Sequence, residues 1–193
     1  KWSSSKSWAI SEDNDYSWEK GIYEYVWGNR IKGLRALGQI LHLLEDATVP
    51  DHTRNDPHPP ILNQGSPYEH WTERFDREKI KIDLNTDKPI LFQDLNQYFE
   101  DLARYSNENF FSRDTVFDSK YRNPTIQYRS GDFGFSRIED QDYRLMRIIK
   151  KVEGGEDYTL IDKKFLILSD YWRLLSKRAV LTGAGVVNLF FAQ

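Results

Sequence analysis

The stretch from His42 to Asp56, HLLEDATVPDHTRND, carries a leucine-rich segment into a polar one across Pro50. At about 100° of rotation per helical residue, His42 and Asp46 share one face with Arg35, Gly38, Gln39 and Glu45. Ile31, Leu34, Leu37, Ile40, Leu41, Leu44 and Ala47 spread round the rest of the circumference. The spacing therefore predicts a central helix covered by protein on most sides, with one narrow polar strip. An unpaired buried carboxylate is costly, so the strip needs a cation, either a metal or an arginine. Pro50 ends the helix within a turn of Asp46, and His52 then folds back to the same helix end.

The pattern His-x3-Asp-x3-Pro-x-His is a compact set of nitrogen and oxygen donors of the kind that zinc takes. All four histidines, His42, His52, His58 and His70, fall in one window of 29 residues out of 193. A metal-free arrangement uses the same residues differently. In it His42 donates to Asp46, or Asp46 meets Arg35, and the histidines lie scattered on the surface.

Before this helix, SWEKGIYEYVWGN predicts another over about 17–27, stopped by Gly28-Asn29. Residues 51–66 hold Asp, Asn and Pro in a density that predicts a loop, and Ser66-Pro67 restarts a helix with Ser as N-cap. An amphipathic helix follows over about 91–111. Between about 120 and 168, β-branched and aromatic residues punctuated by Ser-Gly-Asp and Gly-Gly-Glu-Asp predict a small antiparallel excursion with hairpin turns. The last segment returns to a long apolar helix from a Ser169-Asp170 cap. The expected architecture is one mainly α domain with a β-hairpin insertion.

Composition narrows the chemistry. Lys and Arg (27) nearly balance Asp and Glu (30), giving a net charge of -3, so no broad basic face advertises a polyanionic partner. The absence of cysteine removes disulfides, thiolate metal sites and thiol nucleophiles, leaving His, Asp and Glu as metal ligands. The apolar runs fall short of the roughly 20 residues of a membrane span, which reads as a soluble chain. The start, Lys1-Trp2-Ser3, has neither an initiator Met nor a signal-peptide pattern and reads as the product of processing or design. No HExxH, Gly-rich phosphate loop or adjacent His-Asp dyad occurs, and Gly183-Ala184-Gly185 reads as a close-packing point.

ALGQILHLLEDATVPDHTRND, Ala36 to Asp56, resembles the signature LG-x3-H-x3-D-x3-P-x-H of the zinc-dependent phospholipase C and P1 nuclease superfamily. SWEKGIYEY, GSPYEHW and RAVLTGAGVVNLFF resemble flanking segments of bacterial phospholipase C-like proteins. The resemblance implies a multi-helix fold, a secreted or periplasmic location, and zinc-dependent hydrolysis of a phosphodiester, in a phospholipid or a nucleic acid, by metal-bound water. It implies that His42 and Asp46 ligate a zinc pair, with Asp46 able to bridge. His52 would belong to a neighbouring zinc completed by Glu69 and a further histidine.

In the phospholipase C motif that histidine stands four residues before the Glu, where this chain has Gly65. His58 is the substitute the sequence offers, or else a solvated loop histidine. Glu69 has a structural use too, because Ser66-Pro67-Tyr68-Glu69 is a capping box. His70 reads as a packing or surface residue, and Arg54 is a candidate phosphate contact from its position alone. The family's upstream ligands, including an amino-terminal Trp, have no counterpart, since Trp2 follows Lys1 in a different context. The chain thus reads as lacking the N-terminal segment of a longer protein, which would be its partner. A second reading is a non-catalytic, metal-stabilised or interaction domain that keeps part of the cluster.

Overall fold

The structure, a computed structural model, describes residues 4–56, 65–74 and 87–193. The chain divides into two units, one of Lys1–Thr48, Leu84–Ala103 and Arg178–Gln193, the other of Val49–Asp83 and Arg104–Lys177. In chain order the described helices are α1 (Ser5–Ala9), α2 (Trp18–Trp27), α3 (Arg30–Asp46), α4 (Pro50–Thr53), α5 (Pro67–Glu73), α6 (Leu95–Asn109) and α7 (Leu166–Phe191). The strands β1 (Tyr128–Ser130), β2 (Phe133–Ile138), β3 (Gln141–Lys150) and β4 (Glu156–Thr159) lie between α6 and α7.

The first unit is helical. Asn29 caps α3 by accepting from the Ile31 and Lys32 amides, which is why the chain reverses at Gly28-Asn29 as its turn chemistry predicts. Trp18, Leu37, Ile40, Leu44, Tyr98, Phe99, Leu102, Val186 and Phe190 form the core, with Phe190 meeting the Trp18 and Tyr25 rings edge-on. Gly185 sits where a Cβ would lie 1.8 Å from the Ile90 carbonyl oxygen, so this glycine is a point of close packing. Helix α3 is covered on one side only. It buries Gly33, Ala36, Leu37, Ile40 and Leu44, while Ile31, Leu34 and the strip of Gly38, Gln39, His42 and Glu45 are exposed. The expected all-round cover is corrected: Ile31 and Leu34 lie outside the buried stripe, and this unit's core reaches one face of the helix.

The second unit holds the sheet, an antiparallel meander in the order β1-β2-β3-β4. Opposite Gly134 and Phe135 the pairing jumps from Met146 to Arg144, so Leu145 is an extra residue in β3. The jump changes the parity of the strand and lets Tyr143, Leu145, Met146 and Ile148 all be buried. The backbone groups released there are taken up by one dipeptide of α7. Asp170 Oδ2 accepts from the Arg144 amide at 2.9 Å, and the Tyr171 hydroxyl donates to the Leu145 carbonyl at 2.8 Å.

This sheet is half of a core and not an appendage. Its inward side chains pack with Phe110, Phe111, Ile167, Leu168, Tyr171, Leu174 and Leu175. The expected fold class, a mainly α phospholipase C/P1 nuclease-type domain with a small hairpin insertion, is corrected accordingly. About half of the described residues are helical, and a four-stranded sheet makes the chain mixed α and β.

Helix α7 also begins earlier than its Ser169-Asp170 signal. Asp162 caps it, accepting from the Lys164 and Ile167 amides, and Asp170 is freed to serve β3. By length and composition α7 is long and apolar enough to cross a membrane, with a mean hydropathy of 1.3 in its most apolar window. Its apolar side chains are nonetheless used inside the protein, Ile167 to Leu175 in one core and Val186 and Phe190 in the other.

The β2–β3 hairpin turns on Glu139 and Asp140 with φ of 49° and 64°, a conformation that Asn-Gly adopts without penalty and that L side chains resist. The double substitution Glu139→Asn, Asp140→Gly is expected to stabilise the chain by about 1 kcal/mol, read as a raised midpoint in urea unfolding. An unchanged or lowered midpoint would contradict this account of the turn.

Candidate functional site

The motif residues fall in both units, His42 and Asp46 in the first and His52 and Glu69 in the second. In the first unit α3 sets His42 and Asp46 one turn apart, with Nε2 3.9 Å from Oδ2. The side chains are 67% and 31% exposed, so the pair stands at the surface, not in the buried strip that the leucine pattern predicts. Among the described residues no ion pair joins Arg35 to Asp46. The helix ends at Asp46, and the Thr48 hydroxyl donates to the Glu45 carbonyl at 2.7 Å. Pro50 opens the next helical turn as the first residue of α4, so part of the expected 51–66 loop is helical.

In the second unit α4 carries Asp51 and His52, and α5 starts at the Ser66 N-cap with Pro67 at its first position, as the sequence predicts. Ser66 Oγ accepts from the Glu69 amide at 3.3 Å and donates to the buried Asp51 carboxylate at 2.8 Å. One half of the capping box is thus formed, and the same hydroxyl ties α5 to α4. The Glu69 carboxylate lies against His52, with Oε1 3.3 Å from Nε2, and both side chains are about one-third exposed. Two donors on one tetrahedral zinc, each about 2.0–2.1 Å from the ion, stand about 3.3–3.4 Å apart. The His52–Glu69 separation fits that edge. The His42–Asp46 separation is wider and needs a small closing of rotamers to match it.

Gly65 has φ +73°, and a Cβ placed on it would lie 2.5 Å from His70 Nε2. The His70 ring therefore occupies the space in which a histidine at position 65 would begin. His58 and Trp2 lie outside the described residues. Among the described residues no group of three or more His, Asp or Glu side chains could hold a metal ion, so the donors come as two pairs.

Arg54 is corrected from its expected role. Its side chain is fully buried, and its five N–H groups face five acceptors. Nε donates to Thr115 Oγ1 at 2.6 Å, Nη1 to the Asn107 and Arg122 carbonyls at 2.6 and 3.5 Å, and Nη2 to the Thr115 carbonyl and Asn123 Oδ1 at 3.2 and 3.0 Å. The Phe111 and Tyr121 rings face the guanidinium, their centroids 5.4 and 4.7 Å from its carbon. Burial pulls its pKa below the usual arginine value, against the pull of Tyr171, Tyr121, Asp118 and Asp56. With its donors taken, Arg54 is a buried brace and has none to offer a phosphate.

The residues that sequence reasoning missed are Asp51 and Asp56. Asp56, buried, accepts from the Asp114 amide at 3.0 Å. The signal that would have found them is the crowding of acids on both sides of Arg54, in a stretch too polar to be buried without partners. A polar cleft of about 180 Å³ elsewhere in this unit, edged by Glu108, Arg122, Gln127 and Arg137, holds none of the histidines. It is smaller than ordinary ligand pockets of roughly 300–1,000 Å³.

Lysine at position 54 keeps the charge but lacks the fork that reaches five acceptors. Arg54→Lys is expected to lower unfolding free energy by about 3 kcal/mol, measured in urea. A variant as stable as the parent would refute the brace.

No family model, curated protein or solved structure matches this chain.

Proposed function

We propose that the chain is a zinc-dependent hydrolase of phosphodiesters, similar to phospholipase C, acting on a phospholipid or a nucleic acid outside the cytoplasm. The observation that carries this reading is the His52–Glu69 pair, with its donor atoms 3.3 Å apart. The spacing of His42 and Asp46 before Pro50 and His52 supports it.

In this reading His42, Asp46, His52 and Glu69 hold zinc, and His58 is a further ligand. When bound, zinc supplies a Lewis acid and lowers the pKa of water toward about 7. The protein's own contributions are local. The Asp46 and Glu69 carboxylates offset cationic charge, and the imidazoles bind in the neutral form. The Ser66–Asp51 hydrogen bond holds the start of α5, and so Glu69, against α4. With a net charge of -3 and Arg54 buried, neutralisation of the phosphodiester falls to the metal and not to a basic face.

The grouping of the described donors in pairs favours one other reading, a metal-stabilised domain without turnover. Metal analysis of the purified chain, cobalt titration followed by visible absorption, and turnover of bis(p-nitrophenyl) phosphate separate the two. Two or more zincs per chain with turnover are expected. Loss of an outer-shell partner alone costs about 10–100-fold in metal affinity, so His52→Ala and Glu69→Gln are each expected to cost at least about 100-fold. One tightly held zinc with no turnover would favour the structural domain. A chain that takes up no zinc or cobalt would sink both readings.

A further inference from the structure

The helical hairpin of α2 and α3 carries side chains that its core does not use. Its tip is built rigidly. Glu24 Oε2 accepts from the Asn29 amide at 2.9 Å, Glu24 Oε1 pairs with Lys32 Nζ at 2.8 Å, and Asn29 Oδ1 caps α3. Where α2 meets α3, a Cβ on Gly33 would lie 2.8 Å from the Gly21 carbonyl oxygen, so the two backbones touch and neither helix can turn to hide its outer face.

That outer face is apolar. Trp27 is 80% exposed, Ile31 64%, Tyr23 63%, and Val26 and Leu34 46% each. Val26, Trp27 and Ile31 sit on either side of the Gly28-Asn29 turn, so the end of the hairpin carries all three. The same segment carries positive charge. From Tyr23 to Arg35 there is one acid, Glu24, against Arg30, Lys32 and Arg35. Lys32 is spent on Glu24, whereas Arg30 and Arg35 are exposed and, among the described residues, in no ion pair. Arg30 lies 5.7 Å over the Tyr25 ring.

We propose that the α2–α3 tip docks onto an anionic lipid surface, with Trp27 and Ile31 entering the headgroup boundary and Arg30 and Arg35 meeting lipid phosphates. Indole and phenol rings favour that boundary, where one edge is wet and the other is apolar. Arginine stems cover apolar surface while their heads stay at the phosphate level. Charge and shape exclude the other occupants. A second copy meeting this face about a two-fold axis would set Arg30 and Arg35 against their equals. A nucleic acid would match the arginines and stack on Trp27, but would leave Ile31, Leu34 and Val26 without an apolar partner. The docking surface is independent of the zinc reading, since it involves no candidate ligand.

The test is co-sedimentation of the full chain with mixed phosphatidylcholine–phosphatidylserine vesicles and with phosphatidylcholine vesicles alone, without added metal. Binding to the anionic vesicles is expected. Trp27→Ala should weaken it by about 10-fold or more. Arg30→Gln and Arg35→Gln should weaken it by about 5-fold each and reduce its salt sensitivity. Bromine-labelled lipids should quench the parent's fluorescence more than that of Trp27→Phe. All three positions are exposed, and circular dichroism melts confirm that each of the four variants folds. Absence of binding to anionic vesicles, or equal binding by parent and variants, overturns the proposal. So does a dimer in sedimentation velocity that Trp27→Ala abolishes, or tip-dependent capture of single-stranded DNA in place of vesicles.

Discussion

A guanidinium without exposed surface has lost its hydration, and a fold that tolerates it must return that hydration as fixed acceptors. Arg54 does this within one unit. Its partners are Asn107 at the end of α6, Thr115, Arg122 and Asn123, one stretch that lies 53 to 69 residues further along the chain. The neighbouring bonds run the same way, Asn107 Nδ2 donating to the Thr53 carbonyl at 2.7 Å and Thr53 Oγ1 to Ser106 Oγ at 3.2 Å. A buried charge of this kind is rarely a net gain against an apolar replacement, but breaking its shell is expensive. Its effect is to allow few positions for α4, and α4 is what carries His52.

The sheet depends on a second constraint of the same form. The bulge at Leu145 releases an amide and a carbonyl, and an unsatisfied buried pair would cost more than a bulge returns in packing. Asp170 and Tyr171, adjacent on α7, satisfy both. The register of β3 and the rotation of α7 are thus set together. Tyr171 also accepts from the Phe111 amide at 3.2 Å, which joins the end of α6 to the same point.

These two devices explain what could be read in the sequence. Boundaries set by local chemistry were legible: the stop at Gly28-Asn29, the start at Ser66-Pro67, the turn at Gly131, the close approach at Gly185. Glu139-Asp140 was not, because that pair is no ordinary marker for a turn requiring positive φ. The weight of the sheet was not legible either, since Leu145 and Met146 break the alternation that announces a half-buried strand. At the candidate site, the spacing of His42, Asp46 and His52 was plain, but their exposure was hidden. Periodicity tells which residues share a face and not whether neighbouring elements cover it. Arg54 was misread for the opposite reason, since a charged residue in a polar loop gives no local sign of full burial.

The contrast between donors and supports bears on how the site is understood. In the second unit, Asp51 at 3% exposure, Ser66 at 1% and Arg54 at 0% are the groups that join elements. His52 and Glu69 are about one-third exposed and sit on the surface of that network. An ion pair in water contributes little to stability, so the buried bonds suffice to hold α4 against α5 without it. What the network does for His52 and Glu69 is fix their backbones on two elements so that two donor atoms face each other from opposite sides. In the proposed reading, such a braced support preorganises the two donors for a ligand. At the hairpin tip, too, a bonded frame of Glu24, Asn29 and Lys32 holds apolar side chains that lie outside this unit's core.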